Sequence, residues 1–297
     1  DMEGLLPMID ESKTLYIVVP AVWLGVLFLL ETYIPLRKLV SARGRRVALN
    51  LFFSAFAAAA GSLAVRPAGL GMSIIASERD IGLLNTVEVP PAAEFAAAFL
   101  LMDLSFYYWH RLNHVVPLLW RFHNVHHFDP DLDVSTSFRF HFVEILYSSL
   151  FRVVQVTAIG VPVRVYLVYE LFFTLGTLFH HSNVKLPVPL ERALNMIIVT
   201  PRMHGIHHSF YRNETNSNYS VIFSWWDRLH RSLRLDAPQA EVKTGVPAYS
   251  SPGDNTLREM ITMPFQPQRN YWQSPGGGSY IERPQRESGR ARQRIRA

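Results

Sequence analysis

Long apolar segments without charged residues constrain the fold of this 297-residue chain more than any other feature. Leu15 to Leu30 contains no charge, and Val47 to Val65 is a second such segment, rich in Ala and Phe. At 1.5 Å per residue, a helix of about 20 residues crosses the roughly 30 Å hydrocarbon core of a bilayer. Because backbone amides find no water there, only helices or closed barrels span a membrane. The segments therefore predict a helical membrane protein.

Three further segments have the length of a membrane span but carry isolated charges. They are Ala92 to Trp109, Phe142 to Gly160 and Val163 to Phe179. The loop between the first two spans contains five basic residues: Arg37, Lys38, Arg43, Arg45 and Arg46. Loops rich in Lys and Arg remain in the cytoplasm, so this loop is predicted to face that side.

Histidine is concentrated in a few short motifs. The chain has 12 histidines and no cysteine. His110 and His114 are four residues apart, and the pattern His-x-x-His-His begins at His123 and again at His204. On a helix these spacings place two or three imidazoles on one face. Imidazole binds zinc, copper, iron and nickel, and so many rings exceed the needs of one tetrahedral zinc. The motifs predict more than one metal ion.

The alternation of spans from the basic loop brings every histidine motif to the cytoplasmic side. The predicted fold is all-α, a polytopic integral membrane protein with about four to five transmembrane helices and a cytoplasmic, histidine-rich helical cap. Residues 1–91 are predicted to form the N-terminal spans with their connecting loop, and residues 92–235 a histidine-rich catalytic domain. Residues 236–297, rich in Pro, Gly and Arg, are predicted to be a largely disordered tail.

Three kinds of function use clustered imidazoles near a membrane. A zinc hydrolase needs three ligands and a general base, but the motif His-Glu-x-x-His is absent. A metal carrier or sensor needs ligands along a path across the bilayer, whereas these motifs lie at one end of the spans. Activation of O₂ for attack on an unactivated C–H bond fits a donor set of this size, and a membrane supplies lipid substrates.

The net charge of +5 comes largely from one loop and the tail, so no nucleic-acid partner is predicted.

The local motifs resemble the fatty acid hydroxylase / sterol desaturase superfamily over about residues 90–235. The matching segments are Tyr108-Trp-His-Arg-Leu-Asn-His114, Phe122-His-Asn-Val-His-His127, His181-Ser-Asn-Val-Lys-Leu-Pro187 and Thr200-Pro-Arg-Met-His204. The segment from Asp129 to His141 resembles the bacterial branch of this superfamily, which is also similar to alkylglycerol monooxygenases.

The resemblance implies a non-haem di-iron membrane monooxygenase or desaturase of the bacterial inner membrane. Its co-substrate is O₂, it hydroxylates or desaturates a fatty acyl, alkyl or sterol-like C–H bond, and a separate electron-donor protein and reductase supply electrons. The resemblance assigns metal-ligand roles to His110, His114, His123, His126, His127, His141, His181, His204, His207 and His208.

Three polar residues are candidates for orienting the ligand rings rather than binding metal. Asp103 precedes His110 by about two helical turns, Glu170 lies about three turns before His181, and Asn183 belongs to the His181 motif. Ionisable residues inside a span indicate a functional site by default, and a carboxylate often accepts the free ring N–H of a ligand. Helix packing is the alternative for Asp103, and an ion pair with Arg152 or Arg164 is the alternative for Glu170.

Overall fold

The computed structural model describes the backbone of residues 2–284 and, within it, the side chains from Leu15 onward except at positions 62, 64 and 66. This part of the chain is helical and contains isolated β-bridges but no strand, which confirms the predicted all-α class. The α-helices are α1 (Met2–Tyr33), α2 (Arg43–Ala60), α3 (Arg66–Glu78), α4 (Pro91–Val115), α5 (Pro117–His127), α6 (Phe142–Ile159), α7 (Val163–His181), α8 (Val188–Asn195), α9 (Pro201–His207), α10 (Arg212–Thr215), α11 (Trp225–Leu229) and α12 (Leu257–Thr262).

All five predicted spans are helical, but fewer of them are apolar enough to cross a bilayer. Leu15–Tyr33 and Phe142–Ile159 meet the requirement of length and hydropathy. The pair Pro67–Thr86 and Pro91–Val115 meets it only as one span, bent by 88°. By length and composition, the described helices thus provide two or three candidate spans, where the sequence predicts four to five. The basic start of α2 and the charged residues within α7 explain the difference, because they lower the mean hydropathy of those helices.

The helices α3, α4, α6 and α7 pack around one apolar core. Met102 and Tyr169 lie at its centre and are fully buried. The amino-terminal helix α1 packs against α7, and many of its apolar side chains face outward, such as Ile17, which is 67% exposed. An apolar surface of this kind is typical of a helix that contacts lipid. The short helices α5 and α9 pack on the ends of α4 and α7, where the histidines lie.

A buried arginine joins α2 to the segment that follows α5. The guanidinium of Arg46 donates to Asp129 at 2.9 Å and also to Asp133. Asp133 in turn caps the 3₁₀ turn Val134–Phe138, because it accepts from the backbone N–H of Ser135 at 2.9 Å. Asp131 accepts from two backbone N–H groups before α2, at 2.7 and 2.8 Å. These contacts fix the start of α2 against the histidine-bearing part of the chain.

The carboxyl-terminal segment differs from the predicted disordered tail. Residues 236–284 pack on the histidine domain, and residues 285–297 lie outside the described part of the chain. Met260 and Met263 are buried in an apolar cluster with Trp120 and Phe128, and Trp272 stacks on Trp120 with ring centroids 6.1 Å apart. Burial of these scattered large side chains offsets the entropy of ordering a segment rich in Pro and Gly.

Candidate metal centre

Nine buried imidazoles converge in two adjacent groups at the ends of α4, α5, α7 and α9. Within each group one ring nitrogen from every histidine lies within 4.8 Å of the others. The first group consists of His110, His114, His123, His127 and His207. The second group consists of His126, His181, His204 and His208. Each group is compact enough for its nitrogens to bind one ion.

Each His-x-x-His-His motif divides its rings between the two groups. In the motif on α5, His123 and His127 belong to the first group and His126 belongs to the second. In the motif that begins on α9, His207 belongs to the first group, and His204 and His208 belong to the second. The expectation that each motif presents its rings in a single direction is therefore too simple. Residues four apart on a helix share a stripe, whereas the intervening ring points about 60° or more away from it. Both motifs thus contribute to both groups.

The hydrogen bonds of His110 and His207 fix which ring nitrogens face each other, and the resulting arrangement suits a metal ion. Nδ1 of His110 lies 2.7 Å from the carbonyl oxygen of Tyr219, and Nδ1 of His207 lies 2.7 Å from that of Ser217. A carbonyl oxygen only accepts, so each Nδ1 carries the proton and each Nε2 carries a lone pair. These two Nε2 atoms are 3.1 Å apart. Two lone pairs at that distance repel one another, and a shared metal ion removes the repulsion.

Distances and charge in the second group fit a metal ion as well. Nε2 of His181 lies 3.0 Å from Nε2 of both His126 and His204, and Nε2 of His204 lies 3.1 Å from that of His208. Two nitrogens bound at right angles to one ion at about 2.1 Å lie about 3.0 Å from each other. Burial and the neighbouring rings lower the pKa of five histidines in or next to α5 and α9 well below the usual value. They are His126, His127, His204, His207 and His208. Neutral imidazole is the form that binds metal.

Several ring nitrogens have no hydrogen-bond partner among the described residues. Both nitrogens of His127 lack a hydrogen bond, as does Nε2 of His123. Buried polar atoms are normally satisfied, and an orphaned set in one place indicates a missing ion or water. With no cysteine in the chain, the donor set is all imidazole, which suits iron among other transition metals. The residues present therefore fit a pair of metal ions.

The groups that orient these rings were only partly indicated by the sequence. Nδ1 of His123 lies 2.7 Å from a carboxylate oxygen of Glu144, a residue that the motifs did not single out. Nδ1 of His181 donates to the backbone carbonyl of Thr177 at 2.8 Å. Contacts of this kind fix the tautomer and raise the basicity of the ligating nitrogen. A backbone carbonyl belongs to every residue type, so no sequence signal identifies it.

Asp103 holds a backbone segment beside the site, and among the described contacts it touches no histidine ring. It accepts from the backbone N–H of Phe223 at 3.0 Å and from the indole N–H of Trp226 at 2.7 Å. Asp227 likewise accepts from the backbone N–H of Tyr219, at 2.9 Å. Both carboxylates hold the segment 217–227, whose carbonyl oxygens orient His110 and His207. This segment is thus the link between Asp103 and the rings.

The other two orienting candidates also lie away from the rings. Asn183 accepts from the backbone N–H of Arg37 at 2.9 Å and donates to its carbonyl at 2.8 Å, so it fastens the loop after α1. Glu170 forms an ion pair with Arg152 at 3.0 Å, which is the first of the two alternatives expected for it. Among the described contacts, neither side chain touches a histidine ring.

Three histidines lie outside both groups. The Nδ1 of His141 accepts from the backbone N–H of Val143 at the start of α6, and its Nε2 lies 3.2 Å from the carbonyl oxygen of Ile261. Both of its ring nitrogens are therefore engaged. His180 is buried with its ring centroid 4.1 Å from that of His204, but it belongs to neither group. His230 lies apart and accepts from or donates to the hydroxyl of Tyr108 at 2.6 Å.

An apolar cavity of about 190 Å³ opens directly onto the rings. His110, His123 and His126 of the two groups form part of its wall, as do His181 and His204. Aromatic side chains of α4, α6 and α7 also line the cavity: Phe106, Phe151 and Phe173. The Arg152–Glu170 pair also borders the cavity. Such a chamber can hold an apolar group beside the two histidine groups.

Comparison with known proteins identifies the domain that carries these histidines. Residues 95–232 match the family described as fatty acid hydroxylase. The ornithine lipid hydroxylase OlsE of Rhizobium tropici is 32% identical over 140 residues, which are 47% of this chain and 41% of that protein. Human alkylglycerol monooxygenase is 33% identical over 47% of this chain and 30% of its own length. Human cholesterol 25-hydroxylase is 28% identical over 46% and 49%.

The chain thus covers less than half the length of each of these relatives. No solved structure matches it. The matched residues include all nine clustered histidines and exclude α1 to α3 as well as the carboxyl-terminal segment. The resemblance predicted from the motifs is confirmed: residues 95–232 match the fatty acid hydroxylase family.

Proposed function

We propose that this protein is a membrane oxidoreductase with two non-haem irons that uses O₂ to hydroxylate or desaturate a lipid C–H bond. The relatives that share its histidine domain are named as a lipid hydroxylase, an alkylglycerol monooxygenase and a cholesterol hydroxylase. Two irons bound by the histidine groups supply the activation of O₂ that attack on such a bond requires. The proposed substrate is a fatty acyl, alkyl or sterol-like lipid.

The observation that carries the proposal is the set of nine buried imidazoles in two groups, next to an apolar cavity. The first group contributes five nitrogens and the second four, so the proposed ligands are these nine residues. His141 is left out of the proposed set because a backbone N–H and a carbonyl engage both of its nitrogens. Glu144 and the carbonyls of Thr177, Ser217 and Tyr219 hold the rings with their lone pairs toward the metal positions.

The cavity supports a lipid chain as substrate. An engineered cavity of about 150 Å³ takes up benzene, so 190 Å³ holds an apolar group of about six to eight carbons. Phe106, Phe151 and Phe173 contact that group and exclude water from it. The remainder of a longer lipid must extend out of the cavity toward the bilayer. These residues therefore position one end of an acyl or alkyl chain beside the histidines.

The proposed setting is the inner membrane of a bacterium, with the histidine site on the cytoplasmic face. The basic loop after the apolar part of α1 supports this orientation through the positive-inside rule. Electrons are proposed to come from a separate donor protein and its reductase, because the reduction of O₂ takes more electrons than oxidation of the substrate C–H bond supplies. The catalytic unit is proposed to be residues 92–235.

Metal analysis of the detergent-purified protein tests the proposal. We expect about two irons per chain after anaerobic, iron-replete preparation, and a loss of most of this iron in the double variant His126→Ala, His207→Ala, which removes one ligand from each group. The matched control is His141→Ala, which removes a buried imidazole outside both groups and should keep both irons. Zinc without iron would favour a hydrolase or a metal carrier, and a folded protein without any metal would refute the proposal.

A search for the product follows from a positive result. Membranes of cells that express the wild-type protein should contain lipids with an added hydroxyl group or double bond, and cells that express the double variant should not. Oxygen consumption by the reduced protein distinguishes an oxidase from a metal carrier. A protein that binds two irons but consumes no O₂ with any reductant would contradict the proposed reaction.

A further inference from the structure

The apolar cavity beside the histidine groups is bordered by an ion pair. Arg152 of α6 and Glu170 of α7 both line it, and Nη2 of Arg152 lies 3.0 Å from a carboxylate oxygen of Glu170. Arg152 lies in the interior of Phe142–Ile159, a helix that is long and apolar enough to cross a bilayer. Ionisable side chains inside a span are costly, and they commonly mark the path or the site of a substrate.

Packing of α6 against α7 does not by itself explain this pair. Apolar side chains of similar volume often hold two helices together at an equal or lower free energy, because they carry no cost of desolvating charge. A second ion pair between helices joins Arg164 of α7 to Glu94 of α4 at 2.5 Å, but its arginine is 51% exposed and neither residue lines the cavity. The Arg152–Glu170 pair differs because it faces an apolar chamber.

The pair leaves hydrogen-bonding capacity on its carboxylate. The guanidinium of Arg152 is engaged by Gln155 as well as by Glu170, and its charge is balanced, so no anion is expected here. Glu170 is less enclosed, since its side chain is 22% exposed, and its Oε1 accepts no hydrogen bond of good geometry from a described residue. A carboxylate has about four lone-pair positions. Glu170 can therefore accept a hydrogen bond from a ligand in the cavity.

The position of the pair along the helices separates it from the histidines. Glu170 precedes His181 on α7 by eleven residues, which is about 16 Å along the helix axis at 1.5 Å per residue. Arg152 follows Glu144, the partner of His123, by eight residues, which is about 12 Å along α6. The pair and the rings nevertheless line one cavity. A ligand that fills it can contact Glu170 with one part and the rings with another.

We propose that Glu170, with its charge balanced by Arg152, binds a hydroxyl group of the lipid substrate. This inference rests on the proposed function and narrows its substrate class. The lipid carries a hydroxyl within about eight carbons of the C–H bond that faces the histidines, because the cavity of about 190 Å³ holds a group of about that size. The hydroxyl donates to the carboxylate in a charge-assisted hydrogen bond. A hydrocarbon chain without a polar group lacks this bond and binds less tightly.

Two probes of equal chain length, 1-octanol and n-octane, test the proposal. Each is titrated calorimetrically into the full-length, anaerobic protein in an uncharged detergent. The test variant is Arg152→Leu, Glu170→Leu, which replaces the pair by apolar side chains and leaves no unpaired buried charge. The matched control is Glu94→Leu, Arg164→Leu, which does the same to the ion pair outside the cavity. The ratio of octanol affinity to octane affinity is compared between proteins, so that partition of the probes into detergent cancels.

A hydrogen bond to a charged group contributes about 10- to 100-fold in affinity. We expect the ratio in the wild type to exceed that in the test variant by this factor, and that in the control by less than about threefold. If the leucine variant loses its helical circular dichroism, Glu170→Gln takes its place, and this weaker, neutral acceptor should lower the ratio by about fivefold. Equal ratios in wild type and test variant, the same loss in the control, or no binding of either probe overturns the proposal.

Thr177 offers the alternative position for a hydroxyl in this cavity, because its Oγ1 is buried and has no hydrogen-bond partner among the described residues. Loss of the octanol preference in Thr177→Val instead of the test variant would overturn the role of Glu170. Iron content is measured in parallel. A protein that prefers octanol but binds no iron refutes the proposed reaction and supports the hydroxyl site, whereas an iron-loaded protein without the preference overturns the hydroxyl site alone.

Discussion

Removal of the Glu144 carboxylate should weaken one of the two proposed metal sites and leave the other. Glu144 is 5% exposed and accepts from Nδ1 of His123 at 2.7 Å. Loss of such a partner typically costs 10- to 100-fold in metal affinity, or about 1.4 to 2.7 kcal/mol. We expect a loss of about tenfold for Glu144→Gln, which keeps an acceptor oxygen, and nearer 100-fold for Glu144→Leu, which keeps none. His123 belongs to the first group, so the ion of that group should be lost first.

Chelator competition measures this effect. Iron released from the anaerobic protein is followed against chelator concentration, and two separate steps are expected in the Glu144 variants. Glu170→Gln is the control, since Glu170 is also a carboxylate beside the cavity but pairs with Arg152. Equal release curves for wild type and Glu144→Leu, or the same shift in Glu170→Gln, would refute the assignment of Glu144 as the residue that orients His123.

Three further predictions concern stability. Burial lowers the pKa of five histidines in or next to α5 and α9, so below about pH 6.5 the unfolded chain binds protons that the folded chain does not. The free energy of unfolding of the metal-free protein therefore falls by up to about 1.4 kcal/mol per histidine and pH unit. A thermal midpoint that stays constant from pH 8 to 5 would contradict this. Arg46→Met leaves the buried Asp129 and Asp133 without their shared cation and should lower the free energy of unfolding by about 3–5 kcal/mol, whereas Arg45→Met should change it by less than about 0.5. Asp103→Asn weakens the acceptor of Trp226 and should cost about 1–3 kcal/mol, and the measured thermal midpoint should fall without loss of iron from the folded protein.

Local periodicity predicted the parts of this protein that depend on nearby residues. The spacing of His204, His207 and His208 indicated a helix with ligand character, and α9 ends at His207. The apolar segment from Leu15 indicated a span, and α1 supplies it. In both cases the residues that give the pattern and the helix that they form lie within a few helical turns of one another along the chain.

Contacts between distant segments were not predictable in the same way. Glu144 lies 21 residues after His123, and nothing in the sequence pairs the two. Arg46 and Asp129 are 83 residues apart, and the basic loop gave no sign that one of its arginines is buried among carboxylates. The segment with Tyr271 and Trp272 has a composition typical of a disordered tail, but its few aromatic residues pack against the apolar cluster that contains Trp120. Composition describes the average of such a segment and does not identify the side chains that dock.

The unequal sizes of the two histidine groups mean that two bound irons would not be equivalent. Five imidazoles would leave about one position of a six-coordinate ion open, and four would leave about two. The ring of Trp120 packs on the first group, and its centroid lies 4.9 Å from that of His114. The ring of Phe140 lines the cavity and stacks on His126 of the second group, with ring centroids 4.4 Å apart. Mössbauer spectra of the ⁵⁷Fe-loaded protein should therefore show two quadrupole doublets of equal area, and a small exogenous ligand such as azide should perturb the doublet of the four-histidine iron first.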